Sequence, residues 1–436
     1  MKSLIKKLIP ADLLLVYHYL IAISAAIIYG FPSKKMIVIG VTGTKGKTST
    51  INFIWSCLTA CGHKTGMIST ANIRIGQDEM LNKYHMTMPG RFNIQKLLSK
   101  MKKAGCEYCV VEVTSEGLKQ HRNTGIYFDI GVFTNLTPEH LQSHEGSFEK
   151  YKQAKAKMFA SLTSYKKIIN GNIIEKIIIA NNDDEHASYY LNFDADKKIT
   201  FGINSASDIT AKNILETGNG VEFMVDNSNF RLNILGKFNV YNAIPAIVIA
   251  KQADASNAQI QKGFDDLKSI PGRMEVINKG QSFTVIVDYA HEKQSITKIL
   301  QTANTMKKPN AKIIILLGAE GGGRDIAKRP IMGELSAKMA DYIVVSNVDP
   351  YEDDPKQIVE DIALAAEKFG KIRNKDLFVI EDRRTGISKA LSLATDNDVV
   401  LITGKGAEQS IVIDGNKYPW DDRIVVKEEL EKLISL

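Results

Sequence analysis

Cysteine is scarce in this 436-residue sequence. Abundant cysteine, the usual marker of disulfide-rich secreted proteins and of many metal-binding proteins, is therefore missing. The only cysteines are Cys57, Cys61, Cys106 and Cys109. The Cys106-x-x-Cys109 spacing would suit zinc or redox chemistry, but no second pair stands at zinc-ribbon spacing and Cys109 enters an apolar segment. We therefore expect buried, reduced thiols of a cytosolic protein.

Repeats, disordered segments and stripes of one charge are also missing. Hydrophobic residues make up 44% and charged residues 24%, an ordinary globular mixture in a chain long enough for two or three domains. The net charge of +7 is mild and the lysines are scattered, which argues against a nucleic-acid-binding surface. A protein with anionic small-molecule substrates is the better interpretation.

A glycine-rich turn follows a β-branched run in residues 36–50 (MIVIGVTGTKGKTST). The order strand, loop and helix is typical of a nucleotide phosphate-binding loop, in which the lysine supplies positive charge and the threonine hydroxyl can hold Mg²⁺. The helical pattern of residues 51–61, which ends at Gly62, disfavours a simple surface turn. The predicted ATP-binding residues are Gly43, Thr44, Lys45, Gly46, Lys47, Thr48 and Ser49.

The first 33 residues form an apolar N-terminal segment. From Leu13 to Phe31 the chain is nearly all apolar, with lysines on both sides. A short membrane helix, an interfacial anchor and a helix packed on the next domain all remain open, and the flanking charges give no orientation. A cleaved signal is disfavoured because the ATP loop needs cytosolic ATP. We expect a cytoplasmic protein whose residues 1–33 contact the inner face of the membrane.

Alternating strand and helix patterns continue from Met36 and predict an α/β fold with a parallel sheet. Residues 200–235 change to short β-prone runs, interpreted as a small antiparallel patch on the same domain, with a hairpin turn at 226–229. The Pro271-Gly272-Arg273 stretch indicates a domain boundary, after which the alternation resumes. The predicted organisation is an apolar segment at 1–33, a central P-loop ATPase domain at 34–275 and a C-terminal Rossmann-like domain at 276–436.

Several sequence blocks together resemble the Mur ligases, the ATP-dependent amino-acid-adding enzymes of peptidoglycan synthesis. They are residues 111–115 (VEVTS), 132–141 (VFTNLTPEHL) and 151–155 (YKQAK). The similarity runs from about Ile37 to Trp420 and is strongest to the UDP-N-acetylmuramoyl-tripeptide synthetases, the MurE-like branch. It implies an acyl-phosphate mechanism, in which ATP phosphorylates a muramoyl-peptide carboxylate and an amino acid's amine attacks it.

The resemblance implies a magnesium site beside the loop. In the family the strand carboxylate and the histidine of the His-Leu pair are metal ligands, here Glu112 and His140, in addition to Thr48. The lysine of the Ala-Lys pair is carbamylated in the family, which implies that Lys155 becomes an anionic oxygen ligand. Taken alone, these residues are equally a helix-capping glutamate, a satisfied histidine and a solvated helix lysine.

Further blocks imply the remaining site residues. By resemblance, Asn182 and Arg273 belong to the nucleotide pocket and Asp288 offers its carboxylate to the ribose. Lys328 lies in the block that approaches the phosphates. The residues assigned to the amino acid or the acceptor are Ser115, Arg329, Asp349, Tyr351, Gly404 and Glu408.

The sequence departs from the family pattern in three places. Tyr351 stands where diaminopimelate-adding enzymes carry an arginine that clamps the distal carboxylate, so lysine or another amino acid is possible, with Asp349 a candidate for a distal amine. Ala407 and Glu116 replace histidines. The apolar segment of residues 1–33 stands in place of the family's uridine-binding domain.

We therefore predict a Mg²⁺- and ATP-dependent ligase that adds an amino acid to a UDP-N-acetylmuramoyl peptide. A ligase acting on a lipid-linked muramoyl peptide, a folate or a polyamide is one alternative. A membrane-associated P-loop regulator or scaffold without ligase activity is another. The sequence specifies neither the amino acid nor the oligomeric state.

Overall fold

The chain divides into two units that are discontinuous in sequence. A computed structural model describes residues 11–84, 86–139, 141–323 and 326–435. The first unit contains the residues up to Ile214 together with Phe223–Arg231 and Asn239–Leu267. The second contains Leu215–Glu222, Leu232–Phe238 and the chain from Lys268 onward. The domain limits 34–275 and 276–436 stay predictions.

The first part of the chain, up to Asp266, alternates helices with short strands. Its helices are α1 (Ala11–Ile28), α2 (Lys47–Ala60), α3 (Arg91–Lys103), α4 (Ser115–Lys119), α5 (Phe148–Ala160), α6 (Ala187–Leu191), α7 (Asn239–Gln252) and α8 (Asn257–Asp266). Its strands are β1 (Ile37–Thr42), β2 (Thr65–Ile68), β3 (Asn72–Ile75), β4 (Asp78–Leu81), β5 (Tyr108–Glu112), β6 (Ile130–Phe133), β7 (Ile168–Ile169), β8 (Asn172–Ile173), β9 (Ile177–Asn181), β10 (Lys197–Gly202), β11 (Ile209–Thr210), β12 (Lys212–Thr217), β13 (Gly220–Val225) and β14 (Ser228–Leu232).

A nine-stranded sheet forms the centre of the first unit, in the order β11-β10-β9-β6-β1-β5-β2-β3-β4. All neighbours from β11 to β2 are parallel, and only β3 and β4 add antiparallel edge strands. The central strands are buried along most of their length, as parallel strands covered on both faces must be. The predicted parallel α/β sheet is confirmed.

Helix α2 differs from the amphipathic pattern predicted for it. Its residues from Thr48 to Leu58 are all buried, because α7 and α8 pack over the side turned away from the sheet. Ser56 Oγ donates to the Gly263 carbonyl at 2.6 Å. A Cβ on Gly263 would lie 2.6 Å from the Cys57 Cα, so glycine is required for this close approach. The covering helices are about 200 residues away in sequence, beyond the reach of a local pattern.

The predicted antiparallel patch at 200–235 was only partly right. Strands β10 and β11 extend the large parallel sheet, and the separate small sheet contains only β12, β13 and β14. Its β13-β14 turn confirms the predicted hairpin, with Asp226 and Asn227 both at positive φ, as a two-residue turn of type I′ requires. The assignment of this patch to the central domain stays a prediction.

Of the predicted apolar segment at 1–33, residues 1–10 lie outside the described ranges, and Ala11–Ile28 form helix α1, which packs on α3. Ala22, Ala25 and Ala26 are buried, and Ala26 lies so near the backbone of Gly125 that a Cβ there would be 2.3 Å away. Of the alternatives left open by the sequence, a helix packed on the next domain is the one observed. No helix in the described ranges is both long and apolar enough to cross a bilayer.

The second unit is built on a six-stranded sheet of order β15-β16-β20-β17-β18-β19, parallel except for β15. Its strands, with the β21-β22 hairpin, are β15 (Glu275–Ile277), β16 (Thr284–Asp288), β17 (Ile313–Leu317), β18 (Tyr342–Val345), β19 (Leu377–Val379), β20 (Val399–Thr403), β21 (Ser410–Ile413) and β22 (Asn416–Pro419). Its helices are α9 (Lys293–Met306), α10 (Lys328–Met339), α11 (Pro355–Lys368), α12 (Arg383–Ser392) and α13 (Asp422–Ile434). The predicted second α/β unit is confirmed.

All four cysteines are free thiols. Cys57, Cys106 and Cys109 are buried as expected, whereas Cys61 is only half-buried. Burial raises the pKa of the Cys57 and Cys109 thiols, which makes them unreactive.

Candidate active site

The predicted phosphate loop lies at the carboxyl edge of the central strands of the first unit. Strand β1 enters the loop between β5 on one side and β6 on the other, with Val41 paired to Glu112 and Thr42 to Phe133. The chain builds one side of the sheet through β5 before it crosses to β6. Such a reversal of strand order leaves a crevice at the strand ends, where ligands of open α/β sheets bind.

Two glycines allow the loop to approach its neighbours closely. Gly43 has φ +145°, and a Cβ there would lie 2.0 Å from Thr134 Oγ1. Gly46 has φ +85°, and a Cβ would lie 2.2 Å from Asn242 Oδ1. Gly46 precedes α2, whose N-terminus has no side-chain cap. Uncapped N–H groups at a helix start attract anions, so this geometry suits a phosphate group.

Part of the loop's backbone is already hydrogen-bonded. The N–H of Thr44 donates to the Asn135 carbonyl at 2.8 Å, and the N–H of Lys45 donates to Asn135 Oδ1 at 2.9 Å. Lys45 Nζ is 2.7 Å from Glu139. Asn135 therefore fixes the first half of the loop, and the amides nearer Lys47 are the better candidates for phosphate.

Two lysine side chains converge on one carbonyl oxygen of the loop. Lys47 Nζ donates to the Gly43 carbonyl at 3.0 Å and to Thr44 O at 2.8 Å. Lys155 Nζ, on α5, donates to the same Gly43 carbonyl at 2.7 Å. Lys155 is only 2% exposed, and burial followed by the nearby charge of Lys47 holds its pKa well below the usual lysine range. The predicted alternative of a solvated helix lysine is wrong for Lys155.

Glu112 and Thr48 meet at the end of β5. Thr48 Oγ1 donates to Glu112 Oε2 at 2.9 Å. Thr70 donates to the same carboxylate through its N–H at 2.7 Å and through its hydroxyl at 2.9 Å. Glu112 is 2% exposed. A buried carboxylate beside the threonine of a phosphate loop fits Mg²⁺, which takes one or two protein oxygens and completes its shell with phosphate and water.

His140, the other predicted metal ligand, lies outside the described residues. So do Arg324 and Asp325, which the family resemblance places in the same block as Lys328. No cluster of three or more His, Cys, Asp or Glu side chains suited to a metal occurs in the described part of the chain. A Mg²⁺ site that relies on a threonine, one carboxylate and the nucleotide does not need such a cluster.

Ser115 is paired with a histidine that sequence reasoning missed. Ser115 Oγ lies 3.0 Å from His144 Nε2, and both side chains are buried. The His144 ring is 5.3 Å from the Tyr151 ring, and Tyr151 in turn hydrogen-bonds Thr44 in the loop at 3.1 Å. His144 ends a 3₁₀ turn four residues after His140, but a single histidine in a loop gives no sequence signal for this contact.

Asn182 is held at the end of β9 by its neighbours. Asn181 Nδ2 donates to the Thr134 carbonyl at 2.8 Å, and Asp183 accepts from the amides of residues 203–205 at 2.6–2.9 Å and from Tyr241 Oη at 2.7 Å. Although partial burial opposes it, these donors lower the pKa of Asp183 to about 2. Asn182 itself donates to Ala206 O at 2.8 Å, on the same edge as the loop.

The other predicted nucleotide residues belong to the second unit. The Arg273 guanidinium lies 4.4 Å from the centre of the Tyr289 ring. Asp288, at the end of β16, accepts from the amides of Met274 and Ala290 at 2.7 Å. Lys328 is the first residue of α10. A pocket shared by these residues and Asn182 stays a prediction.

Three residues near the ends of β18 and β20 form a buried charge cluster. Lys405 Nζ is 2.8 Å from Asp349 Oδ2 and 2.8 Å from Glu408 Oε2. The second oxygen of Asp349 accepts from the Val412 amide at 2.7 Å. Although burial opposes it, the charges of Glu408 and Asp349 raise the pKa of Lys405, while burial raises the pKa of Glu408. Asp349, predicted to meet a distal amine, is thus engaged by Lys405.

Arg329 and Tyr351 are also held by the protein. Arg329 is buried and pairs with Asp361 at 2.9 Å and Asp353 at 3.5 Å. Tyr351 has φ +54°, and its N–H donates to the Val412 carbonyl at 3.1 Å while its own carbonyl accepts from Asp414 at 2.7 Å. The β21-β22 hairpin therefore stabilises an unfavourable backbone conformation at the position of the missing arginine.

Asn347 is a further polar residue that sequence reasoning gave no role. It is 5% exposed, and its Oδ1 atom has no hydrogen-bond partner among the described residues. Its main-chain carbonyl accepts from the buried Arg383 at 3.3 Å, which is fixed by Asp422 at 2.6 Å. Gly404 lies at the end of β20 and has φ +113°. A Cβ on this residue would lie only 2.8 Å from Val348 Cγ2.

A phosphate loop beside a buried carboxylate, at the carboxyl edge of a parallel sheet, defines a nucleotide-binding α/β enzyme. Similarity to known proteins narrows this class. The family model for the Mur ligase middle domain matches residues 41–250. The model described as Mur ligase, glutamate ligase domain matches residues 272–406.

Curated relatives and a solved structure agree with these matches. The chain is 37% identical over 415 residues to a UDP-N-acetylmuramoyl-L-alanyl-D-glutamate--2,6-diaminopimelate ligase of Bacillus cereus, covering 94% of this chain and 81% of that protein. It is 34% identical over 417 residues to a UDP-N-acetylmuramyl-tripeptide synthetase of Roseiflexus, with the same coverage. The fold resembles Mycobacterium tuberculosis folylpolyglutamate synthase complexed with ADP, with TM-score 0.69, 19% identity and coverage of 95% and 93%.

The chain belongs to the Mur ligase family. It is therefore an ATP-dependent ligase that forms C–N bonds, of a family that uses Mg²⁺. The MurE-like branch inferred from the sequence blocks is confirmed.

Proposed function

We propose that this enzyme adds an amino acid to the peptide carboxylate of a UDP-N-acetylmuramoyl peptide, a step in the synthesis of peptidoglycan precursors. The observation that carries the proposal is the Thr48–Glu112 contact beside the phosphate loop, because it gives the chemistry of phosphoryl transfer a defined location. The names of the Bacillus cereus and Roseiflexus relatives support the choice of acceptor.

In the proposed reaction the loop binds the ATP phosphates through the amides at the start of α2. Lys47, already aligned along the loop at the Gly43 and Thr44 carbonyls, turns its charge to the transferred phosphoryl group. Thr48 and Glu112 would hold Mg²⁺, which when bound supplies further neutralisation of the phosphate charge. These residues position the ATP phosphates and stabilise the charge on the transferred phosphoryl group, so no side-chain nucleophile is required.

The substrates supply the bonds that form and break. An oxygen of the acceptor carboxylate forms a bond to the γ-phosphorus while the bond to ADP breaks. The amino acid's amine then bonds to the acyl carbon, phosphate leaves and the amine loses a proton. Ser115, oriented by His144 at 3.0 Å, is proposed to contact the acceptor near this centre.

We further propose that Lys155 carries a carbamate. Burial and the nearby charge of Lys47 lower the pKa of Lys155 and so favour its neutral amine, and only a neutral amine can attack CO₂, forming an N–C bond with release of one proton. The resulting carboxylate oxygens would replace an amine that now lies beside the charge of Lys47. The carbamate is then suited to serve as an anionic oxygen ligand for Mg²⁺.

The carbamate can be detected directly. Protein equilibrated with ¹³C-bicarbonate is expected to show one carbamate carbon signal by NMR, and this signal should be lost in Lys155→Ala. Lys157→Ala on the exposed face of the same helix is the matched control and should retain it. A signal that persists in Lys155→Ala, or is absent in wild type, would contradict the proposal.

The amino acid is proposed not to be held by the carboxylate clamp of diaminopimelate-adding enzymes. Tyr351 cannot form the bidentate charged pair of an arginine. A distal amine that reached Asp349 would have to share it with Lys405, which already lies at 2.8 Å. Asn347, whose buried Oδ1 atom finds no hydrogen-bond partner in the part of the chain that the structure describes, is an additional candidate for contact with the amino acid.

The decisive experiment combines an amino-acid panel with muramoyl dipeptides that are either UDP-linked or lipid-linked. We expect ADP release that requires both substrates, with a product whose mass equals acceptor plus amino acid minus water. A product formed only with the lipid-linked acceptor would replace the proposed substrate. ADP release without an acceptor would indicate a plain ATPase and contradict the proposal.

A further inference from the structure

The solvent-facing side of helix α1 is mostly apolar between Leu13 and Ile28. We call this the α1 outer face, and it consists of Leu13, Val16, Tyr17, Leu20, Ile27 and Ile28. Leu13 is 60% exposed, Leu20 55% and Ile28 67%. The spacing of three, four and seven residues places these side chains on one stripe of the helix. Ser24 interrupts the stripe, but its hydroxyl donates to the Leu20 carbonyl at 2.8 Å.

The opposite side of α1 is fixed to the first unit. Ala22, Ala25 and Ala26 are buried against α3 and the Gly125 segment. The turn after the helix is anchored by Ser33, whose hydroxyl donates to the Gly125 carbonyl at 3.1 Å and accepts from the Tyr127 amide at 3.2 Å. Because small residues face the protein and large ones face solvent, the outer face is not hidden by this packing.

Apart from Asp12 in the first turn of α1, the charged residues that flank this helix in sequence are basic. No aspartate or glutamate occurs between Asp12 and Asp78, while Lys34 and Lys35 follow the helix in sequence. The lysines Lys2, Lys6 and Lys7 precede it. The adjoining helix α3 has an exposed lysine row of Lys96, Lys100 and Lys103. An apolar stripe with a basic surround is complementary to an anionic lipid surface, with the stripe among the acyl chains and the lysines near the headgroups.

We propose that the α1 outer face binds the surface of an anionic lipid bilayer, with the helix lying in the plane of the interface. The buried alanine side keeps protein on one side of the helix, so lipid can contact only the other. This attachment would hold the ligase at the membrane without altering its phosphate loop. The inference is independent of the acceptor that the enzyme uses.

Vesicle flotation with the full chain tests the proposal. Vesicles of phosphatidylcholine with phosphatidylglycerol should carry wild-type protein upward, vesicles of phosphatidylcholine alone should carry much less, and salt should weaken binding. Leu20→Ser/Ile27→Ser should lower partitioning by about tenfold, because two large apolar side chains no longer enter the lipid. Ligase activity on a water-soluble acceptor should be unchanged.

Leu364→Ser/Ile372→Ser, at similarly exposed positions of the second unit (49% and 53%), is the matched control and should float like wild type. Absence of wild-type flotation, or equal flotation on both vesicle types, would overturn the proposal. So would an equal loss in the control variant. A concentration-dependent dimer in sedimentation that Leu20→Ser/Ile27→Ser abolishes, without vesicle binding, would assign the face to a second copy instead.

Discussion

Two buried lysines, one in each unit, show how neighbours determine the chemistry of the same side chain. Lys155 is 2% exposed and Lys405 is 0% exposed. Lys155 donates to the Gly43 carbonyl, and burial together with the nearby charge of Lys47 lowers its pKa. Lys405 contacts two carboxylates, which raise its pKa. Lys155 is therefore suited to react as a neutral amine, whereas Lys405 remains a charged residue that pairs with Asp349 and Glu408.

The largest effect should follow removal of the reactive lysine. Lys155→Met keeps the volume but not the nitrogen. If the proposed carbamate on Lys155 serves as a ligand for Mg²⁺, kcat/KM should fall by about 10³-fold. Without bicarbonate, stability should be retained or increase, since the variant removes an amine whose charged form is disfavoured by burial and by the charge of Lys47. Steady-state kinetics and urea unfolding measure the two quantities. Full activity in this variant would contradict a catalytic role for Lys155, and the two lysines would then not differ in function.

The reverse result is expected in the second unit. Lys405→Met leaves the buried Asp349 and the partly buried Glu408 without their cation, and should lower the free energy of unfolding by about 3 kcal/mol. The loss should shrink as the pH falls and Glu408 takes up a proton. The control is Lys262→Met, which removes an exposed ion pair with Asp266. It should change the free energy of unfolding by less than about 0.5 kcal/mol. Equal losses of unfolding free energy in the two variants would contradict a stabilising role for the ion pairs of Lys405.

The contact between Ser115 and His144 in the first unit provides a milder test. His144→Gln should lower kcat about tenfold with little change in KM for ATP, because Ser115 loses its orienting partner. The pH dependence of kcat should change as well, which a purely structural role would not cause. His63→Gln, in a surface contact with Glu107, is the control. Unchanged kcat and pH profile would remove His144 from the site.

The negative charge of Asp183 is stabilised by hydrogen bonds from amides rather than by a cation. Its pKa of about 2 lies below the ordinary value of 3.8, so its contribution to stability is present above pH 3.8 and is lost as the pH falls toward 2. Asp183→Asn should cost about 1 kcal/mol at pH 7, allowing for solvent screening. The cost should vanish in acid. Asp194→Asn, an exposed change nearby, should have no effect in urea unfolding at either pH.

Local patterns predicted the framework well. The β-branched run before the loop, the glycines within it and the strand that carries Glu112 all took the predicted form, because backbone state depends mainly on neighbouring residues. The boundaries were less accurate where distant elements decide pairing. Strands β10 and β11 joined the large sheet because β9 was available as a partner, which no local window can reveal.

The sequence by itself determined the α/β class, the phosphate loop and the Mur ligase family, since each depends on residue order within short blocks. Only the tertiary structure decided that Lys155 is buried beside Lys47, that Lys405 engages Asp349 and Glu408, and that α1 turns its large side chains to solvent. The physical reason is that burial and charge balance are set by groups far apart in the chain. The contact between Lys155 and Gly43 spans 112 residues, and that between Lys405 and Asp349 spans 56.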